Sequence, residues 1–482
     1  MRALRPIFWY IACAALLWGQ SVQAQQQGQD QSASPIPAYR SPISVIGANG
    51  DAETNNSNEN QPLSGVQPLS LGMATTRSYW QPRFNISGTA DSNPTETGDG
   101  KNWIAWTSAS AGVDIHRLRG VSDLSVGYTA GGMYSNEYAS GSGVTQGLNL
   151  AERLSFRRST LSFFDQASYM PESAFGFANL SGAGLGTTAT STPGLAFNPG
   201  QAVLTGGSGQ VVSNADAVEL DELLAPRSSL TFAGGYSLLH YFGAGSDLFN
   251  YGVANARVGY NYSVSPDNSL AVLYTFGDYR YASSGQSMMD HALQLSFGRV
   301  LTEKLAFQAA GGPLAVFSKF SPTVVGSTGG STAGITLVSQ SQLLWSVNTS
   351  LQYQQGRYGV GLSYGHGVNG GSGVLLGSEA DTVTGSLTRQ MSRTFTSGFS
   401  GGYSKNKGLP GMGPFAAQSY DYWFGGFNLN EPLGSTLAFT LSYQVQYQTS
   451  NAAACIGPIC GENVLRHTIS VGLGWHERPL LF

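Results

Sequence analysis

The sequence predicts an all-β fold: a transmembrane, antiparallel, up-and-down β-barrel of about eighteen strands, sixteen being the alternative count. Three observations predict it. Long segments alternate apolar and polar residues with period two. The connections between them alternate short and long. The composition is poor in charge and rich in glycine and aromatics, with 11% charged residues, 64 glycines and 11% aromatics in 482 residues, where ~25% charge is usual.

The alternation is clearest in STLAFTLSYQVQYQTS, residues 435–450. Leu437, Phe439, Leu441, Tyr443, Val445 and Tyr447 fall on one side of an extended chain, while Thr440, Ser442, Gln444, Gln446 and Gln448 fall on the other. A soluble sandwich turns such an apolar row inward, whereas a membrane barrel turns it to lipid and leaves the polar row lining an interior. Length favours the barrel. The stretch from Leu437 to Tyr447 spans roughly 36 Å at ~3.3 Å per residue, enough at ~45° tilt to cross roughly 25 Å of apolar slab. Sandwich strands average about half that length.

From the N-terminus, residues 1–24 read as a secretory signal peptide: Arg2 and Arg5 precede a dozen mostly apolar residues, and Val22 and Ala24 occupy the −3 and −1 positions of a cleavage site. Residues 25–77, with QQQGQDQSASP and NNSNENQP, read as a disordered periplasmic arm. The barrel is expected over 78–482. No later run reaches 18 apolar residues, so spanning helices are not expected. Strands are predicted near 79–91, 102–116, 121–134, 145–157 and 159–170. A long loop, 171–209, follows. The segment 210–224, QVVSNADAVELDELL, reads as strand or short helix; as a strand it makes the count even, as a closed bacterial barrel requires. Twelve further strands are predicted near 229–243, 248–263, 268–281, 288–301, 304–318, 339–355, 357–370, 380–391, 394–406, 418–430, 435–449 and 463–476.

Loop length carries independent information. Connections near 264–267, 302–303, 356, 392–393 and 431–434 are short, and those near 282–287, 319–338, 371–379, 407–417 and 450–462 are long, as periplasmic turns and extracellular loops are in outer-membrane barrels; the brief GAGSD link at 243–247 is the exception on the extracellular side. Trp80, Trp103, Tyr358, Trp423 and Trp475 at strand ends suit interfacial girdles.

The chain resembles large bacterial outer-membrane β-barrel proteins. The likeness to general porins is one of topology over residues 79–482, without a porin sequence motif. It rests on the long loop after the fifth strand, FDQASYMPESAFGFANLSGAGLGTTATSTPGLAFNP from Phe164 to Pro199; in general porins the loop at this place folds inward and narrows the pore. Glu172, Gly182, Gly184 and Gly186 are therefore candidate constriction-loop residues. The terminal Phe482 after HERPLL resembles the assembly signal of such barrels, which implies the barrel-assembly machinery, periplasmic chaperones and outer-membrane lipid as partners of an exported chain in a Gram-negative outer membrane. Arg478 and Pro479 interrupt the alternation after Trp475.

The expected pore-lining residues are Arg257, Asp290, Gln342, Asn348, Gln352, Gln444, Gln446 and Arg466, with Asp290 placed closer to a rim. Most inward rows are uncharged, such as Thr382, Thr384, Ser386 and Thr388, so water and small polar solutes are the expected cargo and strong ion selectivity is not expected. Cys455 and Cys460, in an exported chain, are expected to form one local disulfide; a zinc site needs four ligands. The six histidines are scattered and no GxSxG, HExxH or Walker pattern occurs, so neither an enzyme nor a cofactor is expected. A net charge of −4 suggests no nucleic-acid partner. The expected function is a passive porin-like channel. The alternatives are a structural or adhesive barrel with a closed lumen, and a twelve-strand secretion pore beginning at 229 with a separate N-terminal domain.

Overall fold

Period-two segments of 12 to 18 residues cannot satisfy their backbone groups alone in lipid, and closing a sheet on itself removes every edge. The computed structural model shows that closure. It describes residues 78–93, 103–135, 142–170, 210–242, 250–282, 285–320, 338–370, 375–392, 395–410, 418–451 and 463–482. The first six strands are β1 (Tyr79–Asp91), β2 (Ile104–Arg119), β3 (Ser122–Tyr134), β4 (Gly143–Ser155), β5 (Ser159–Met170) and β6 (Gln210–Ala225). The next six are β7 (Ser228–Phe242), β8 (Tyr251–Ser265), β9 (Asn268–Tyr281), β10 (Ser287–Thr302), β11 (Leu305–Phe320) and β12 (Val338–Gln355). The last are β13 (Tyr358–Asn369), β14 (Ser378–Gln390), β15 (Thr396–Gly408), β16 (Ser419–Pro432), β17 (Leu437–Ser450), β18 (Val464–His476) and the two-residue β19 (Leu480–Leu481).

Each long strand pairs antiparallel with its sequence neighbours, and β1 closes the ring on β18 from Arg83↔His476 to Asp91↔Thr468. The fold is a closed, all-β barrel of eighteen strands. Two sequence alternatives fall. Residues 210–225 form a strand, paired with β5 and β7 throughout. A twelve-strand pore with a separate N-terminal domain is excluded, because β1 to β6 belong to the same ring. Among the described residues no helix is long and apolar enough to cross a membrane.

The short connections lie at one end, together with the start of β1 and the end of β18. Gly356, between β12 and β13, holds φ at +54°, a left-handed turn conformation that costs a residue with a Cβ far more than glycine. After β18, Arg478 and Pro479 do break the ladder. Three residues, 477–479, face only Gln81 and Pro82 before Trp80 pairs with Leu480, so the last pairing is displaced by one residue and Phe482 lies exposed beyond it.

The facing is that of a membrane barrel. On β18, Leu465, Ile469, Val471 and Leu473 are exposed on the outside while Arg466, Thr468 and Ser470 are buried inside. Leu343 and Trp345 on β12 are 75% and 66% exposed, which in water would be an aggregation surface and in lipid is the expected state. Trp80, Tyr358 and Trp475 lie toward the short-turn end, and Trp103 and Trp423 toward the other; all are exposed outward, as interfacial girdles require. The signal peptide, the arm, the loop 171–209 with Glu172, Gly182, Gly184 and Gly186, and the Cys455–Cys460 pair lie outside the described residues.

Candidate channel interior

The interior wall has three textures, each set by which parity of a strand points inward. The first is charged, on the N-terminal half and across the β1–β18 seam. Arg83 on β1 meets Asp114 on β2 at 3.0 Å and donates from Nη2 to Thr129 Oγ1 at 2.6 Å, with both charged side chains about 40% exposed. His116 Nε2 lies 2.7 Å from Asp123 Oδ1. Arg257 on β8 lies 3.7 Å from Glu219 on β6. Beside it Thr231 donates to Asp221 at 2.5 Å, and Asn261 donates to Thr231 at 3.3 Å. At the seam, Arg466 Nε and Nη2 donate to Asp91 Oδ2 at 2.8 and 2.5 Å, and neither side chain is exposed at all.

The second texture is hydroxyl and amide, over β12 to β18 with Gln294 of β10. Gln294 donates to Ser346 at 2.7 Å, Thr382 lies 3.3 Å from Ser404, and Ser363 bonds Thr384. Of the expected pore-lining amides, Asn348 is exposed and Gln352 and Gln444 are half-buried. Gln342 donates to the Pro410 carbonyl at 2.7 Å. Gln446, like Arg466, points inward yet is enclosed by protein, 2% exposed.

The third texture is apolar. Inward residues Leu239, Tyr251, Tyr281, Met288, Leu314 and Val316, from β7 to β11, form a buried cluster near the long-loop end. It is covered by chain from elsewhere in the ring: Leu376, after β13, and Leu409, after β15, are part of it. The Tyr281 hydroxyl donates to the Gly370 carbonyl at 3.2 Å. Gly377 has φ +98°, and a Cβ there would lie 2.9 Å from Met288 Sδ and 3.2 Å from Leu409 Cδ1, so this close passage needs glycine. The segment 375–377 therefore reaches from β13 to β9 and β10 and occupies part of the interior. Asp290, three residues from the start of β10, faces inward beside this cluster, with Oδ1 enclosed against Gly277.

Two of these textures leave only weak signals in the sequence. Arg83 has the parity of Ser87 and Thr89, the buried inward residues of β1, and that parity is the signal that places it inside. The apolar cluster also had a signal: SLLHYF, LAVLYTF and GPLAVF are apolar on both faces, which a strand between lipid and water need not be. Arg257, Asp290 and Arg466 do face inward, but Arg257 and Arg466 are already ion-paired with protein.

No protein family matches the chain, and no curated protein does. Solved structures do. OccK2 (OpdF) of Pseudomonas aeruginosa in complex with glucuronate is 9% identical, with a TM-score of 0.43 over 84% of this chain and 98% of that one. OccAB1 of Acinetobacter baumannii is 11% identical, with a TM-score of 0.44 over 83% and 97%. OpdK of Pseudomonas aeruginosa with vanillate is 8% identical, with a TM-score of 0.41 over 83% and 99%. The fold of this chain is established by its own strand pairing.

Proposed function

We propose that the chain is an outer-membrane, porin-like channel through which water and small polar solutes diffuse passively with weak ion selectivity. The observation that carries the reading is the orientation of an eighteen-strand closed wall, apolar outside and largely polar inside. A barrel of that strand number has room for a water-filled lumen. The pairing of Arg83 with Asp114, Arg257 with Glu219 and Arg466 with Asp91 supports weak selectivity, because paired charges give a smaller field than a lining of one sign.

The apolar cluster joined by Leu376 and Leu409 supports a narrower passage than the ring alone would give, and it is the observation that favours the second reading, a structural barrel with a closed lumen. Planar-bilayer recording separates the two. The expected result is discrete ohmic conductance steps with a reversal potential near zero in a KCl gradient. A folded, inserted barrel without conductance would leave the structural barrel as the function.

A further inference from the structure

The outer face of the barrel carries a shallow, open groove of about 500 Å³ over β12 to β16. Its floor comes from strand register. Gly385 on β14, Gly401 on β15 and Gly425 on β16 are direct cross-strand neighbours, on the parity that points outward with Val383, Phe399 and Trp423. A Cβ on Gly385 would meet nothing closer than 3.9 Å, while one on Gly401 would lie 3.2 Å from the Phe424 carbonyl oxygen, so the floor is open at Gly385. The next outward row toward the long-loop end is Tyr364, Val383, Tyr403 and Trp423, with the last two rings 4.3 Å apart. Toward the short-turn end the groove is lined by the cross-strand row of Tyr353, Val360, Leu387 and Phe399.

One outward position beyond that row, on β14, stands a cation. Arg389, exposed on the same outward row as Gly385 and Leu387, holds its guanidinium 4.9 Å above the Tyr358 ring and has no ion-pair partner among the described residues. It stands four residues from Gly385, about 13 Å at ~3.3 Å per residue. The other end offers no equivalent, because Lys405 is flanked in register by Asp381 and Asp421, which repel an anion.

We propose that this groove is a phospholipid site: the phosphate is bound by Arg389 and one acyl chain lies along the glycine floor. The proposal rests on the reading that the outer face meets lipid, and it is independent of conductance. Between apolar surfaces in a bilayer there is no hydrophobic gain, so a retained lipid must be held by close packing and by its headgroup. A floor without side chains allows the first, and an arginine with no ion-pair partner among the described residues supplies the second through paired N–H donors.

The test is native mass spectrometry of the full chain in mild detergent with added dioleoyl phosphatidylglycerol. The expected result is one retained lipid on the unaltered protein, lost in Gly385→Leu, which fills the floor, and in Arg389→Gln, which removes the charge. Both variants should keep the heat-dependent gel shift of a folded barrel and the conductance of the unaltered chain. Equal retention by both variants, or equal retention of dioleoylglycerol, would overturn the site. A dimer that excludes lipid would assign the groove to a second copy instead. Lost conductance with retained lipid would count against the channel alone.

Discussion

At the scale of single residues, one step along a strand decides between two solvents. Leu441 lies in a cross-strand row with Leu429 and Val471, all outward, while Ser442 faces the interior. Leu441→Arg should cost roughly 2–4 kcal/mol of folding stability in lipid vesicles and Ser442→Arg far less, read as midpoints of urea titrations. Equal costs would mean the facing is wrong, and reversed costs would favour a soluble sandwich. The seam pair tests a different force. Asp91→Ala leaves the Arg466 guanidinium fully enclosed without its carboxylate, which should destabilise by about 3–5 kcal/mol, while Asp91→Ala with Arg466→Met should recover much of that loss. Facing was legible residue by residue because parity alone sets it. Pairing was not: nothing in sequence says that Asp91 and Arg466, 375 positions apart, close one seam.

At the scale of elements, strands were legible where one face is apolar and the other polar, and less so where both faces agree. β17 and β18 are read correctly from alternation alone. β6 was ambiguous because its outward row includes Asn214, Asp216 and Glu222, which resembles a solvated helix. In the barrel Asp216 sits directly opposite Asp165, and Asn214 donates to Asp165 at 2.9 Å. Two like charges in register destabilise a sheet, so Asp216→Asn should raise the unfolding midpoint, by roughly 0.2–1 kcal/mol on the scale of cross-strand pairs. A lowered midpoint would mean that the acid has a bound counter-charge. The inward course of 375–377 was not legible at all. LLGSEA reads as loop into strand, and only the inward apolar patch of β7 to β11 gives Leu376 somewhere to pack. Leu376→Ser with Leu409→Ser should loosen that packing and increase single-channel conductance, with the reversal potential unchanged because no charge is altered. Unchanged conductance would place the narrowest point elsewhere.

At the scale of the whole molecule, stability belongs to the ring rather than to any part of it. Each strand satisfies its backbone groups only through both neighbours, and β18 has its second neighbour nearly 400 residues away, in β1. A chain cut to residues 228–482 would keep twelve strands and their hairpins, an even number with intact turns, yet β7 would lose β6 and β18 would lose β1. To close, the two exposed edges would have to pair in a new register. Their inward faces also lose partners: Arg466 loses Asp91 and Arg257 loses Glu219, each then an enclosed charge in a low-dielectric wall. Left open, the edges would present unpaired N–H and C=O groups to lipid at several kcal/mol apiece. The full-length chain refolded in detergent should therefore be β-rich and migrate differently on a gel with and without boiling, and the 228–482 fragment should show neither a heat-dependent shift nor insertion into vesicles. A fragment that inserts and conducts would mean that β7 and β18 can pair directly, and that the first six strands are an addition to a self-sufficient smaller pore.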